Sequence, residues 1–157
     1  MSASTEPLPP GDSLGYQVNH LARLLAQTIR DRIEVLGVVP GQFAQLLALY
    51  EEEGLTQREL CERVRIEQST MANTLQRMER DGLIKRVQDP ADGRRARVML
   101  TAHARRKEAE LVAAAREVNA LATKGLSDPE ITAFMRTLAR IIDNLEAEGA
   151  PPLPLHE

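Results

Sequence analysis

The apolar residues of this chain depart from helical spacing in one stretch only, and that departure sets the class of fold. Up to Gly82 they recur three or four residues apart, as on one side of a helix. From Leu83 the run Leu83-Ile84-Lys85-Arg86-Val87-Gln88 takes the alternating pattern of a half-buried strand. Asp89-Pro90-Ala91-Asp92-Gly93 is dense in turn-forming residues, and Arg95-Ala96-Arg97-Val98-Met99-Leu100 reads as the returning strand. Helical spacing resumes after Thr101. The chain is therefore expected to be mainly α with one small two-stranded β element.

Six helices frame this hairpin. The first is expected from Leu14 to Leu36, with Leu14, Val18, Leu21, Leu25, Ile29, Ile33 and Leu36 in one stripe and Gly37 as a left-handed cap. The second runs from Gly41 to Gly54. Phe43, Leu46, Leu47 and Tyr50 face inward, and Glu51, Glu52 and Glu53 face solvent. Thr56-Gln57-Arg58-Glu59 fits a capping box that starts the third, whose inner side is Leu60 and Val64. The fourth runs from Gln68 to Asp81 on an inner stripe of Met71, Leu75 and Met78, and Gly82 stops it. The fifth is expected as one continuous helix from a Thr101 cap to Lys124, with Leu111, Ala115, Val118 and Ala122 on its apolar side and Gly125 at its end. Ser127-Asp128-Pro129-Glu130 is a second capping box, opening a sixth helix that reaches Gly149. Residues 1–12 and 150–157 are short and Pro-rich and are expected to be disordered tails.

Composition removes several function classes. The only aromatics are Tyr16, Phe43, Tyr50 and Phe134, too few for a platform that stacks single-stranded bases. A single cysteine permits neither an internal disulfide nor a cysteine-based zinc site, and His20, His103 and His156 are not at ligand spacing. No metal or cofactor is expected. There is no Gly-rich phosphate loop, Ser/His/Asp set or paired carboxylate cleft, so the chain does not read as an enzyme. No apolar run approaches membrane-spanning length and no secretory signal is visible, which makes a cytoplasmic address the expectation.

Charge narrows the choice further. The formal net charge is −3, but Arg58–Lys107 carries 13 Lys or Arg against 7 Asp or Glu, a local +6. A basic middle within an acidic chain suits a polyanion-binding element on a self-associating scaffold. Two short helices joined by a tight turn, followed by a basic hairpin, are the layout of a winged helix-turn-helix, whose second helix enters the DNA major groove. The outward side of that helix carries Gln68, Ser69, Thr70, Asn73, Gln76 and Arg77, nearly uncharged and suited to base edges. The hairpin adds Arg94, Arg95 and Arg97 for a narrow minor groove. Asp92 can hold the Arg94 guanidinium, or Asp89 and Asp92 can simply build the turn.

These residues carry a family resemblance. Gln68-Ser69-Thr70-Met71-Ala72-Asn73-Thr74-Leu75, Glu79-Arg80-Asp81-Gly82-Leu83-Ile84, Arg86, Asp89-Pro90-Ala91-Asp92-Gly93-Arg94-Arg95-Ala96 and Leu100-Thr101 resemble the MarR family of winged helix-turn-helix transcriptional regulators, in its SlyA-like branch. The resemblance spans nearly the whole chain. It implies a helical dimerisation region of residues 13–37 and 101–149 around a DNA-binding domain of residues 38–100. It also implies a homodimer on a pseudo-palindromic duplex, a repressor released by a small aromatic or phenolic ligand. It puts the wing arginine at Arg94 and its supporting acid at Asp92, and it places Tyr16, His20 and Arg23 on the ligand side of the first helix. Ala91 stands where the family often has Arg, and His20 where it has Arg. Peroxide-sensing members use a cysteine in the first helix; here the thiol, Cys61, lies in the third and reads as a core residue. The other readings are an activator or a regulator with no small ligand, and a winged-helix module that binds protein.

Overall fold

The computed structural model describes residues 6–149; the expectation for residues 150–157 lies outside them. Within the segment expected to be a loose N-terminal tail, Pro10–Asp12 form a 3-10 turn. Gln17 Nε2 donates to the Gly11 carbonyl at 3.2 Å and holds that turn onto the first helix.

Helix α1 (Leu14–Ile33) starts where the Ser13 hydroxyl accepts the Tyr16 N–H. It ends three residues short of the expected limit because Glu34–Leu36 tighten into a 3-10 turn closed by Gly37 at φ 75°. Helix α2 (Pro40–Glu51) follows, with Pro at its first position, where a missing N–H costs nothing. Strand β1 (Leu55–Thr56) leads into α3 (Gln57–Val64), which opens with the expected capping box between Thr56 and Glu59. Arg65 closes α3 in the left-handed region at φ 62°, and α4 (Gln68–Arg80) begins three residues later. Strands β2 (Ile84–Gln88) and β3 (Ala96–Leu100) form the hairpin.

The sheet has three strands, not two. β1 pairs antiparallel with β3, Leu55 opposite Val98, and gives the order β1-β3-β2. Two residues are too short to show strand periodicity, and Gly54 sets them up: it sits at φ 83° and its N–H donates to the Val98 carbonyl at 3.0 Å. Any larger residue there meets backbone strain.

The expected fifth helix is broken into α5 (Ala102–Arg106) and α6 (Glu108–Ala122). The buried Ala104 carbonyl accepts from the Tyr50 hydroxyl at 2.6 Å and from the Lys107 N–H at 3.1 Å. A side chain intruding on the hydrogen-bond ladder of a helix is a recognised cause of such a break. Burial, and then the nearby Glu108, push the Tyr50 hydroxyl pKa to about 12, so it remains a donor. Glu53, expected in solvent, is a second tie at this joint: its Oε1 accepts from Leu100 N at 2.8 Å and pairs with Arg105.

The core fills the winged unit and takes in the adjoining end of α1, α5 and the start of α6. Ile33, Leu46, Leu60, Met71, Leu75, Met78, Ala104 and Leu111 are fully buried. Helix α6 lies along α1, where Arg32 reaches Glu117 at 3.5 Å. Helix α7 (Asp128–Ala147) has its expected capping box at Ser127 and Glu130 but buries no residue. Among the described residues no single helix is long and apolar enough to cross a membrane.

Candidate nucleic-acid interface

Helix α4 is held by one face and open on the other. Met71, Leu75 and Met78 are 0% exposed, which fixes the rotation of the helix about its axis. Gln68, Ser69, Asn73, Gln76 and Arg77 are then exposed, and Thr70 is half-buried at the edge. Gln42, itself buried, donates to Asp81 at 2.8 Å and anchors the C-terminal end.

The wing is braced from inside. Asp89 is buried at its base: one carboxylate oxygen accepts the Ala91 N–H at 2.9 Å and the other meets Arg97 at 3.1 Å. The Ala91 N–H, seconded by Arg97, holds this carboxyl below its ordinary range, against the opposing effect of burial. Arg97 also donates to the Gly54 carbonyl at 3.0 Å, so it links β3, the turn and the residue before β1. Arg97, expected from sequence among the arginines offered to DNA, is engaged within the wing through these bonds while its side chain stays 44% exposed. Asp92 departs from the expected pairing as well. Its carboxylate accepts the Arg94 backbone N–H at 3.1 Å and lies 3.7 Å from the Arg95 side chain, so the Arg94 guanidinium is not its partner. Among the described residues that guanidinium has no hydrogen bond or ion pair, and Arg94 is exposed. Gln88 Nε2 closes the turn on the Gly93 carbonyl at 2.8 Å.

Between α3, α4 and the wing lies a concavity of about 640 Å³, lined in part by Gln57, Arg58, Gln68, Arg86 and Arg95. Gln57 and Arg58, read from sequence only as part of a capping box, and Arg86, read only as part of the family motif, are not among the expected contact residues, because only the fold brings them beside Gln68. The capping box was the available signal: it puts Gln57 and Arg58 in the first turn of α3. Arg86 also ties the wing to α4 through Glu79 at 3.4 Å.

Tyr16, His20 and Arg23 lie on one side of α1 at spacings of four and three, and all three are exposed. None of them lines the α3–α4–wing concavity or the groove along α5 and α6. Cys61 is buried, and burial raises its thiol pKa, so it is held as the unreactive thiol.

Comparison with known proteins places this arrangement. A model of the MarR family matches residues 36–95. The transcriptional regulator TtmR of Methylorubrum extorquens is 31% identical over 150 residues, which cover 95% of this chain and 76% of that protein. The chain belongs to the MarR family. Among solved structures of this family's fold, the PcaV transcriptional regulator of Streptomyces coelicolor, in complex with its natural ligand, matches with a TM-score of 0.76 at 29% identity, over 88% of this chain and 98% of that one. A MarR family regulator of Listeria monocytogenes, complexed with a 26mer DNA, matches with a TM-score of 0.80 at 21% identity, over 87% and 91%. This MarR protein is a winged-helix transcriptional regulator and not an enzyme.

Proposed function

We propose that the chain acts as a homodimer on a pseudo-palindromic operator, with α4 in the major groove and the wing tip in the adjacent minor groove. One observation carries this reading. The buried stripe of α4 commits its opposite face, a row of amides and hydroxyls, to the surface beside a braced, arginine-tipped wing. Amides and hydroxyls suit base edges, whereas a merely solvated helix face needs no such restriction of residue type. Gln68, Ser69, Thr70, Asn73, Gln76 and Arg77 then contact bases or adjacent phosphates. Arg94 and Arg95 face the minor groove or backbone, and Arg97, Asp89 and Asp92 support them. The activity belongs in the cytoplasm, where bacterial-type operators are reached.

A second copy is the natural cover for the terminal helices. Leu14, Val18, Leu21 and Leu24 on α1 and Phe134, Met135 and Leu145 on α7 are each 41–57% exposed. Large apolar side chains left exposed along a helix mark an interaction face. The regulator is a repressor, released when a small aromatic or phenolic molecule enters beside Tyr16, His20 and Arg23. These residues suit such a ligand, since imidazole, guanidinium and phenol can pair with a hydroxyl or carboxylate.

The test is fluorescence anisotropy of the full chain on duplexes from around its own gene, at two salt concentrations with random duplex as competitor. Binding that survives competitor at the higher salt is expected, with release by phenols or aromatic acids that His20→Ala weakens. Equal affinity for specific and random duplex overturns sequence-specific regulation; specific binding that no such compound affects leaves DNA recognition standing and removes the ligand.

A further inference from the structure

The first residue of α4 is gripped by the first residue of α3, and the chemistry of that grip fixes which end of an amide faces outward. Gln57 Nε2 lies 3.4 Å from the Gln68 backbone carbonyl and 3.1 Å from Gln68 Oε1. A backbone carbonyl only accepts, so Gln57 must present its NH2 group there. The same NH2 group faces the Gln68 side chain, which must therefore present its oxygen. The two acceptors together settle both amides by hydrogen-bond logic alone. They leave the Gln68 Nε2, with its two hydrogens, as the outward group.

We propose that Gln57 is a positioning residue for operator recognition: by engaging Oε1 of Gln68 it turns that oxygen toward α3 and leaves the Nε2 donors foremost, to read an acceptor-only base edge. This rests on the reading above that Gln68 faces a base. An unrestrained glutamine suits adenine, which offers an acceptor at N7 and a donor at N6. A glutamine whose oxygen is turned toward its own chain suits guanine, with acceptors at O6 and N7, or thymine, with O4. Gln57 itself is half-buried beside the capping box, whose Thr56–Glu59 bonds do not involve its side chain. Its replacement therefore leaves the start of α3 intact.

The experiment selects duplexes from a random library with the full-length protein. Each base pair of the selected duplex is then replaced in turn in competition binding, for wild type, Gln68→Ala, Gln57→Ala and Gln57→Glu. Gln68→Ala marks the position that Gln68 reads. There the wild type is expected to favour guanine or thymine over adenine by about tenfold. Gln57→Ala should shrink that preference severalfold and leave other positions unchanged, an effect a purely structural role would not produce. In Gln57→Glu the introduced carboxylate has no hydrogen to give either Gln68 oxygen and is repelled by the Gln68 carbonyl, so the grip is lost and the preference should shrink as in Gln57→Ala. A wild-type preference for adenine, or a Gln57→Ala profile that is unchanged or evenly weakened, overturns the proposal. If Gln68→Ala alters no position, Gln68 reads no base and the proposal fails while DNA recognition stands. If the wild type selects no common duplex, the functional reading fails and this one with it.

Discussion

The winged unit and the terminal helices bury their apolar residues in opposite ways. From Ile33 to Ala114 nearly every large apolar side chain finds partners in its own chain. Helix α7, twenty residues long and capped as carefully as α3, buries none. The first half of α1 behaves like α7, and its last turn, at Ile33, behaves like the winged unit. The difference separates two meanings of an amphipathic stripe. A stripe shows that a helix wants a partner, but not whether that partner is in the same chain. The part proposed to read DNA is packed within one copy, whereas the terminal helices, proposed to set the spacing between two copies, leave their stripes open.

The comparison breaks most visibly if one charge is placed in the uncovered face. Phe134→Asp is expected to weaken self-association by about 2 kcal/mol or more, since an aromatic anchor of the proposed interface is lost and a charge must be desolvated there. Light scattering should then show the single-chain mass at micromolar concentration where the wild type shows twice that mass. Duplex affinity should fall with it, while the winged unit keeps its structure. A dimeric Phe134→Asp protein would move the interface off α7. Within the winged unit the expected penalty is of another kind. Leu75→Ala removes a fully buried side chain and should lower unfolding stability by about 2–5 kcal/mol. Chemical denaturation measures it, and a loss under 1 kcal/mol, on the order of a surface substitution, would place Leu75 outside the core.

The same contrast explains what could be read in advance. The α4 stripe and its outward face were legible because the polar and apolar residues segregate cleanly over thirteen residues. Both capping boxes were legible because their four residues are contiguous. Strand β1 was not, since its two residues carry no period and gain meaning only beside Val98, some forty residues on. The break between α5 and α6 was hidden for the same reason: its cause, the Tyr50 hydroxyl on Ala104, is a contact across 54 positions. The wing showed its composition but not its wiring. Three arginines and two aspartates announced a basic turn, and only the fold assigned Arg97 to Asp89 and Asp92 to Arg95.

That wiring makes Arg94 and Arg97 separable. Arg94→Ala is expected to lower duplex affinity by about 1 kcal/mol and to flatten the salt dependence by about one phosphate contact, with no change in melting temperature. Arg97→Ala should lower the melting temperature and weaken binding to all sequences alike, because it loosens the wing. Swapped outcomes would exchange the two roles. Tyr50→Phe probes the joint below the wing: loss of the bond to Ala104 should cost about 1 kcal/mol. It should also remove an alkaline transition. The Tyr50 pKa is raised to about 12 from 10.0, so its contribution is full below pH 10.0 and lost as pH climbs through about 12. A wild type and variant that share the same alkaline limb would show that Tyr50 does not titrate across the joint.

The smallest expected effect lies at the acid end, in the wing. The Asp89 carboxyl is held below its usual 3.8 by the Ala91 N–H and by Arg97. A depressed pKa means that the folded state prefers the charged form, so the stabilisation is present above 3.8 and is lost as pH falls through the lower, folded value. Asp89→Asn keeps an oxygen for the Ala91 N–H and removes the charge that Arg97 meets. Melting temperatures of wild type and variant should therefore differ by a constant small amount between about pH 5 and 8 and converge in acid. The amide proton of Asp89, given to the Arg95 carbonyl across the wing turn, and that of Arg95, given to the Asp92 carbonyl within it, should exchange faster in the variant at neutral pH, while those of α4 do not change. A gap that persists in acid would mean that Asp89 braces the wing by shape and not by charge. Faster exchange in α4 as well would mean that wing and reading helix form one cooperative unit, and the division between them would then lie wholly at the terminal helices.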